Sequence, residues 1–337
     1  MTDTKMEYTR LGKSGLKISK VILGTMSYGS PDWEGWILNE DEALPLLEHA
    51  YKVGINTWDT ADLYSNGKSE EIIGKALKVY NIPRERVVIL SKCFYPVPTA
   101  EWDKRSAKSA TDDQMINRQG LSRKYIFDAV DASVKRLGTY LDVLQIHRLD
   151  RETPKEEIMK ALNDVVESGK MAAWEFQTLQ HIAERNGWHK FICMQSYHNL
   201  LYREDEREMN PYCVDSGVGL IPWSPLAKGV LARPWAARSS TREATDASIS
   251  GWYRSGDDEA DREIVQRVEQ LARKHGVPMA AVATAWSLSK SLTNPIVGLS
   301  SKERIDQAVQ ATKLTLDKDD VRFLEEPYRP KALLPLY

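Results

Sequence analysis

Hydrophobic positions along the chain follow two alternating periods. Short continuous apolar runs bounded by turn formers predict buried strands at Val21–Thr25, Ile55–Trp58, Val87–Ser91, Leu141–Ile146, Phe191–Gln195, Val218–Trp223 and Pro295–Gly298. Between them, apolar residues recur every three or four positions and predict helices over 40–52, from about Ser69 to Tyr80, and over 122–137, 153–168, 203–209, 259–275, 278–290 and 300–311. Ser122 and Gly138 suit the two ends of one helix. Thr153-Pro154-Lys155-Glu156 and Ser300-Ser301-Lys302-Glu303 predict capping boxes. Ahead of the first strand, residues 6–18 predict a hairpin turning at Gly12-Lys13-Ser14-Gly15.

The alternation continues through the chain with no linker, which predicts one α/β domain over 1–337, a (β/α)8 TIM-type barrel with an N-terminal hairpin. Seven strands are legible where a closed barrel of this type needs eight. After Gly169, Lys170-Met171-Ala172-Ala173 runs directly into a second helical pattern (Trp174, Leu179, Ile182, Ala183), so the strand expected near residue 170 is missing or shortened. The polar stretches 96–120 and 227–258 are long for βα loops, a property of functional segments.

A net charge of −2 argues against nucleic acid or an anionic membrane as the main partner. Cys93, Cys193 and Cys213 form neither a disulfide framework nor a metal spacing, which predicts a reducing compartment and no metal. The polar start Met1-Thr2-Asp3-Thr4-Lys5 and the lack of a membrane-length apolar run lead us to expect a soluble cytoplasmic protein.

The candidate chemistry lies at strand ends, where barrels of this class build their active sites. Asp59 follows the second strand and Tyr64 lies five residues on; Lys92 ends the third strand and His147 the fourth. Tyrosine alone is a weak acid at neutral pH, and a neighbouring ammonium lowers its pKa. Lys92 is placed to supply that ammonium, Asp59 to hold Lys92, and His147 to orient a carbonyl oxygen. Such a set needs a hydride to complete a reduction, hence a nicotinamide cofactor. No GxGxxG follows the first strand, but Ser300, Ser301, Lys302 and Arg304 stand at a helix start after the last strand, a usual place for phosphate. Lys302 and Arg304 suit the extra phosphate of NADP(H), Trp223 could stack on the nicotinamide, and Gln195 could bond its carboxamide. Each has a plainer reading: turn residue, surface ion pair, core histidine, packing tryptophan or helix cap.

Asp59-Thr60-Ala61 with Tyr64, Ser91-Lys92, Leu144-Gln145-Ile146-His147, Trp223-Ser224-Pro225-Leu226 and Gly298-Leu299-Ser300-Ser301-Lys302-Glu303-Arg304 resemble the aldo/keto reductase family, over nearly the whole chain. Within it, the long loops and Leu144–Asp150 are similar to the fungal aryl-alcohol-dehydrogenase-like branch. The resemblance implies NADPH-dependent reduction of an aldehyde or ketone, with Tyr64 as proton donor supported by Asp59, Lys92 and His147. It also implies that Gly24, Thr25, Met26, Asp59, Gln195, Trp223, Ser224, Leu226, Lys228, Gly298, Ser300, Lys302 and Arg304 lie near the cofactor. The departure is at Lys170, where the family's strand ends in residues that hold the carboxamide. Its loss would favour a non-catalytic NADP-binding or regulatory protein, whereas the intact tetrad favours an enzyme. A metal-dependent hydrolase lacks the carboxylate–histidine spacing it would need. Trp33, Trp36, Tyr95, Trp252, Tyr253 and the apolar tail are candidates to line a substrate pocket suited to bulky aromatic carbonyls.

Overall fold

A computed structural model describes residues 6–97, 116–168, 177–237, 241–246, 249 and 259–334. Their contacts divide into two compact units. One holds the described residues up to Leu23, Lys52–Ile55, and those from Cys193 onward; the other holds Gly24–Tyr51 and Asn56–Ile192.

In the second unit three parallel strands carry the candidate chemistry: β4 (Thr57–Asp59), β5 (Val88–Cys93) and β6 (Val143–Ile146). Asp59 pairs with Leu90 and Lys92 with Gln145. All three strands are buried along their whole length, as parallel strands covered on both faces must be. Helices α1 (Glu40–Lys52), α2 (Lys68–Val79), α3 (Arg123–Leu137), α4 (Lys155–Glu167) and α5 (Gln177–Asn186) follow in order. The Ser122 hydroxyl caps α3 by accepting from the Tyr125 amide, and Gly138 ends it in the left-handed region. Asn39, which the pattern did not single out, caps α1 in a reciprocal box with Glu42. The box predicted at Thr153 does not form. The Thr153 hydroxyl donates to Asp150, and Pro154 takes the cap position without a side-chain bond.

In the first unit β1 (Tyr8–Arg10) and β2 (Lys17–Ser19) pair as the expected antiparallel hairpin, and β3 (Ile22–Gly24) follows them in the chain. The hairpin turn lies against β8 (Gly219–Leu220): Lys13 donates its amide to the Gly217 carbonyl, and a Cβ on Gly12 would fall 2.4 Å from the Gly219 nitrogen. β7 (Cys193–Met194) pairs in parallel with β8, and single bridges Tyr197–Trp223 and Trp223–Ile296 carry the ladder on to β9 (Ile296–Gly298). Besides the five-residue helix Thr241–Thr245, the helices are α6 (Met209–Ser216), α7 (Glu259–His275), α8 (Met279–Leu288), α9 (Lys302–Ala311) and α10 (Lys318–Glu325). They pack a buried cluster that includes Leu200, Leu231, Ile264, Val268, Val282 and Trp286.

Two expectations are corrected here. The helix predicted over 203–209 is a 3-10 turn, Glu204–Arg207, followed by α6, whose Pro211 sits in its first turn where no amide is needed. The helix α10, capped by Asp317, was not predicted. The strand expected near residue 170, Trp252 and Tyr253, and most of the loop 96–120 lie outside the described residues. Among the described residues no strand occurs between α4 and α5.

Candidate active site

The ladder places the reactive groups. β4 ends at Asp59, but its hydrogen bonding to β5 continues: the Thr60 amide donates to the Leu90 carbonyl and the Asp62 amide to that of Lys92. His147, just past β6, donates its amide to the Cys93 carbonyl. Asp59, Lys92 and His147 are thus fixed by backbone bonds on three adjacent strands. Tyr64 begins a short 3-10 turn in which Ser65, Asn66 and Gly67 all take positive φ. Backbone strain of this kind concentrates at functional sites. The Ser65 hydroxyl anchors the turn by accepting the Ser30 amide.

The side chains converge as the pattern predicted. The Lys92 ammonium donates to Asp59 Oδ2 at 2.6 Å, to the Thr60 carbonyl at 2.8 Å and to the Tyr64 hydroxyl at 3.3 Å. Asp59 and Lys92 are 2% and 3% exposed, so the ion pair is shielded from water. The His147 ring meets Tyr64 edge-on with centroids 6.0 Å apart. Its Nδ1 is buried with no hydrogen-bond partner among the described residues. Trp33 lies against the other reactive ring, 6.4 Å from Tyr64, and Tyr95 lies 5.3 Å from His147.

Burial and charge divide the roles. Burial works against the ammonium of Lys92, but Asp59 and Tyr64 outweigh it and raise its pKa above the ordinary lysine value. For Tyr64 the expectation of a lowered pKa is corrected: burial raises it, Lys92 pulls it back, and the net shift is upward. The phenol therefore holds its proton through neutral pH. His147 is pushed well below the ordinary histidine value by burial, Lys92 and Arg148, and stays a neutral imidazole. A protonated phenol, a cation beside it and a neutral ring donor form an acid able to protonate an oxygen and stabilise the anion left behind.

Several supporting groups were not read from the sequence. Gln145 donates from Nε2 to Asp59 Oδ1 at 2.9 Å. Its spacing of two from His147 along one strand was the available signal. Thr25 donates its amide and its hydroxyl to the Asp59 carbonyl, and Thr25, Thr60 and Ser69 share a buried hydroxyl cluster. Thr25, expected near the cofactor, is thus fully buried and bound to the base of the tetrad. Gly24 is buried beside it and Met26 is exposed. Glu70 accepts from the Ser91 hydroxyl and from Arg136, tying α2 and α3 to β5.

The remaining candidate cofactor residues gather in the other unit. Trp223 packs one face on Tyr197, centroids 4.5 Å apart. Gln195 and Leu226 are partly exposed, and Asn199 donates to the Ser224 carbonyl. Ser224, Ala227 and Lys228 take positive φ, and Lys228 pairs with Asp246 at 3.5 Å. The cap of α9 is Ser301, one residue later than predicted, accepting from the Arg304 amide, while Glu303 bonds Gln307. Ser300 accepts from the Arg304 guanidinium. Lys302 and Arg304 are exposed, with no carboxylate partner among the described residues. A Cβ on Gly298 would meet nothing within 4 Å, so space is open over the end of β9. Two cations without a carboxylate partner among the described residues, two hydroxyls and a helix N-terminus beside open space fit a phosphate group.

Comparison with known proteins agrees with this chemistry. The model of the aldo/keto reductase family matches residues 20–329. Versiconal hemiacetal acetate reductase of Aspergillus parasiticus is 64% identical, covering 98% of this chain and 99% of its own. A Schizosaccharomyces pombe protein named as an aryl-alcohol dehydrogenase is 52% identical over 96% of each chain, and an aldo-keto reductase of Metarhizium robertsii is 46% identical over 99% and 94%. The alignment with the Aspergillus protein runs over 340 residues, more than the 337 of this chain, so it opens gaps in it. With a family match across both units and relatives aligned nearly end to end, the chain belongs to the aldo/keto reductase family, oxidoreductases of the (β/α)8 fold class.

Proposed function

We propose that the protein reduces the carbonyl group of a bulky or aromatic aldehyde or ketone to the alcohol with NADPH, with Tyr64 as the proton donor. The observation that carries this reading is the Lys92 ammonium, held at once by Asp59 at 2.6 Å and against the Tyr64 hydroxyl at 3.3 Å. NADPH, when bound, supplies the hydride to the carbonyl carbon. Tyr64 gives its phenolic proton to the carbonyl oxygen, and Lys92 stabilises the phenolate that remains. Asp59 and Gln145 keep Lys92 in place, and neutral His147 donates a hydrogen bond that orients the substrate oxygen. Ser300, Lys302 and Arg304 would hold the adenosine phosphate, and Trp223 and Gln195 the nicotinamide. The Aspergillus relative is named for a hemiacetal acetate. At that identity over nearly the full length, a substrate of the same kind is the first to try. The reading that the protein only binds NADP rests on the stretch near Lys170, whereas the buried tetrad and the reductase names of its relatives favour catalysis.

Tyr64→Phe tests the reading. Turnover of an aromatic aldehyde should fall by about 10²–10⁴, the usual worth of a positioned proton donor. NADPH binding, followed by quenching of tryptophan fluorescence, should persist. Undiminished turnover would overturn the assignment.

A further inference from the structure

One cation beside the tetrad has no use in that mechanism. Arg148 follows His147 directly and is half-buried. Its Nη1 donates to the His147 carbonyl at 2.8 Å, which occupies one of five N–H donors. Among the described residues no carboxylate answers it. The nearest acid in sequence, Asp150, is committed to its own loop: it accepts the amides of Leu121, Glu152 and Thr153 and the hydroxyl of Thr153. The site's other cation, Lys92, is already neutralised by Asp59. Among the described residues, the reactive end of this unit therefore carries one positive charge with no carboxylate partner. Aromatic faces stand around Tyr64 and His147, the residue next to it: Trp33 against Tyr64, and Phe94 against Tyr95 against His147, with Phe94 and Tyr95 centroids 5.0 Å apart. The Tyr95 segment is pinned by Tyr125, whose hydroxyl donates to the Tyr95 carbonyl at 2.6 Å. A partly desolvated guanidinium with free donors is a preferred partner for carboxylate or phenolate oxygens, and aromatic walls suit a planar ring.

We infer that Arg148 forms an anion-binding subsite, and that the preferred substrates are aromatic carbonyl compounds carrying a carboxylate or phenolate. This inference rests on the proposed carbonyl reduction and narrows its substrate class. Arg148 is a specificity residue here. It binds the part of the substrate that does not react, and it takes no part in the proton transfer.

The test compares 4-carboxybenzaldehyde with its methyl ester, using NADPH and the wild-type, Arg148→Gln and Arg148→Lys proteins. Benzoate and methyl benzoate binding is followed in parallel by tryptophan fluorescence. In the wild type kcat/KM should favour the acid by about tenfold, the scale of one charge-assisted hydrogen bond. Arg148→Gln should abolish that ratio through the KM of the acid, and Arg148→Lys should restore part of it. Equal rates for acid and ester in the wild type would overturn the inference. So would an unchanged ratio in Arg148→Gln with a raised KM for NADPH, which would assign the cation to cofactor phosphate. Should neither aldehyde be reduced, the binding arm decides. Benzoate that binds more tightly than its ester, and about tenfold more weakly to Arg148→Gln, upholds the subsite while carbonyl reduction fails. Benzoate that binds no better than the ester overturns the subsite.

Discussion

Asp62 carries a cost that its neighbours do not offset. It is fully buried, and neither carboxylate oxygen has a hydrogen-bond partner among the described residues. Burial, and then the Glu70 carboxylate, push its pKa well above the carboxylate range, against the pull of Arg136. The sign follows from linkage. Below the unfolded value near 3.8 both states hold the proton and there is no penalty. As pH rises above that value the unfolded chain ionises while the folded one stays protonated, so stability is lost until the folded pKa is reached. Asp62→Asn removes the titration. Its stability relative to wild type, followed by denaturant unfolding, should therefore be higher at pH 7 than at pH 4, by about 1.4 kcal/mol for each unit of displacement. A difference that does not change with pH would refute the account. Asp62 stands inside the stretch that identified the site, yet its state was not legible, because a sequence does not say which oxygens lack partners. Asp59, Tyr64, Lys92 and His147 were legible because four reactive types at three strand ends are an uncommon coincidence. Thr60 and Ser69 were not, since hydroxyl residues in turns are common, and Thr25 was expected beside the cofactor rather than bonded to Asp59.

Among the elements, helices were more legible than strands or caps. The periodic pattern marked 40–52 and 259–275, and the structure has Glu40–Lys52 and Glu259–His275. Most strands came out shorter than their apolar stretches, since strand ends lack ladder partners, as where 218–223 yields Gly219–Leu220, but β5 runs past its stretch to Cys93. Caps failed where two hydroxyls or an acid compete, as at Thr153 with Asp150 and at Ser300 with Ser301. The shift of the α9 cap to Ser301 has a functional consequence. Ser301 spends its oxygen on the Arg304 amide, which leaves the Lys302 and Arg304 side chains as the charges available to a phosphate. Alanine at both positions should raise the KM for NADPH by about tenfold or more, from the loss of charge-assisted bonds, and change that for NADH much less. Initial-rate kinetics with the two cofactors would check this. Equal losses for both would move the second phosphate elsewhere.

For the whole molecule, the sequence expectation of a missing or shortened strand near Lys170 bears on how the cofactor is held. The phosphate-fitting residues of α9 and the tetrad on β4–β6 lie far from that stretch in sequence, and each is fixed by its own local bonds: the Ser301 cap for one, the β4–β5–β6 ladder for the other. Neither depends on the strand for its conformation, so binding should survive even if the carboxamide is held less firmly. A ligand that binds only the folded chain at about 100 times its Kd adds about 2.7 kcal/mol of stability. With an unfolding entropy of about 2.1 cal/mol/K per residue, that raises the melting temperature by roughly 4 °C for a chain of this length. Calorimetry with saturating NADPH should record a shift of that size, and Tyr64→Phe should record the same shift, because it removes a proton donor and leaves the phosphate anchors in place. A shift in neither protein would mean that the stretch near Lys170 is indispensable to cofactor binding, and carbonyl reduction by this chain would fall with it. A shift in the wild type alone would instead mean that the Tyr64 hydroxyl helps to hold the cofactor.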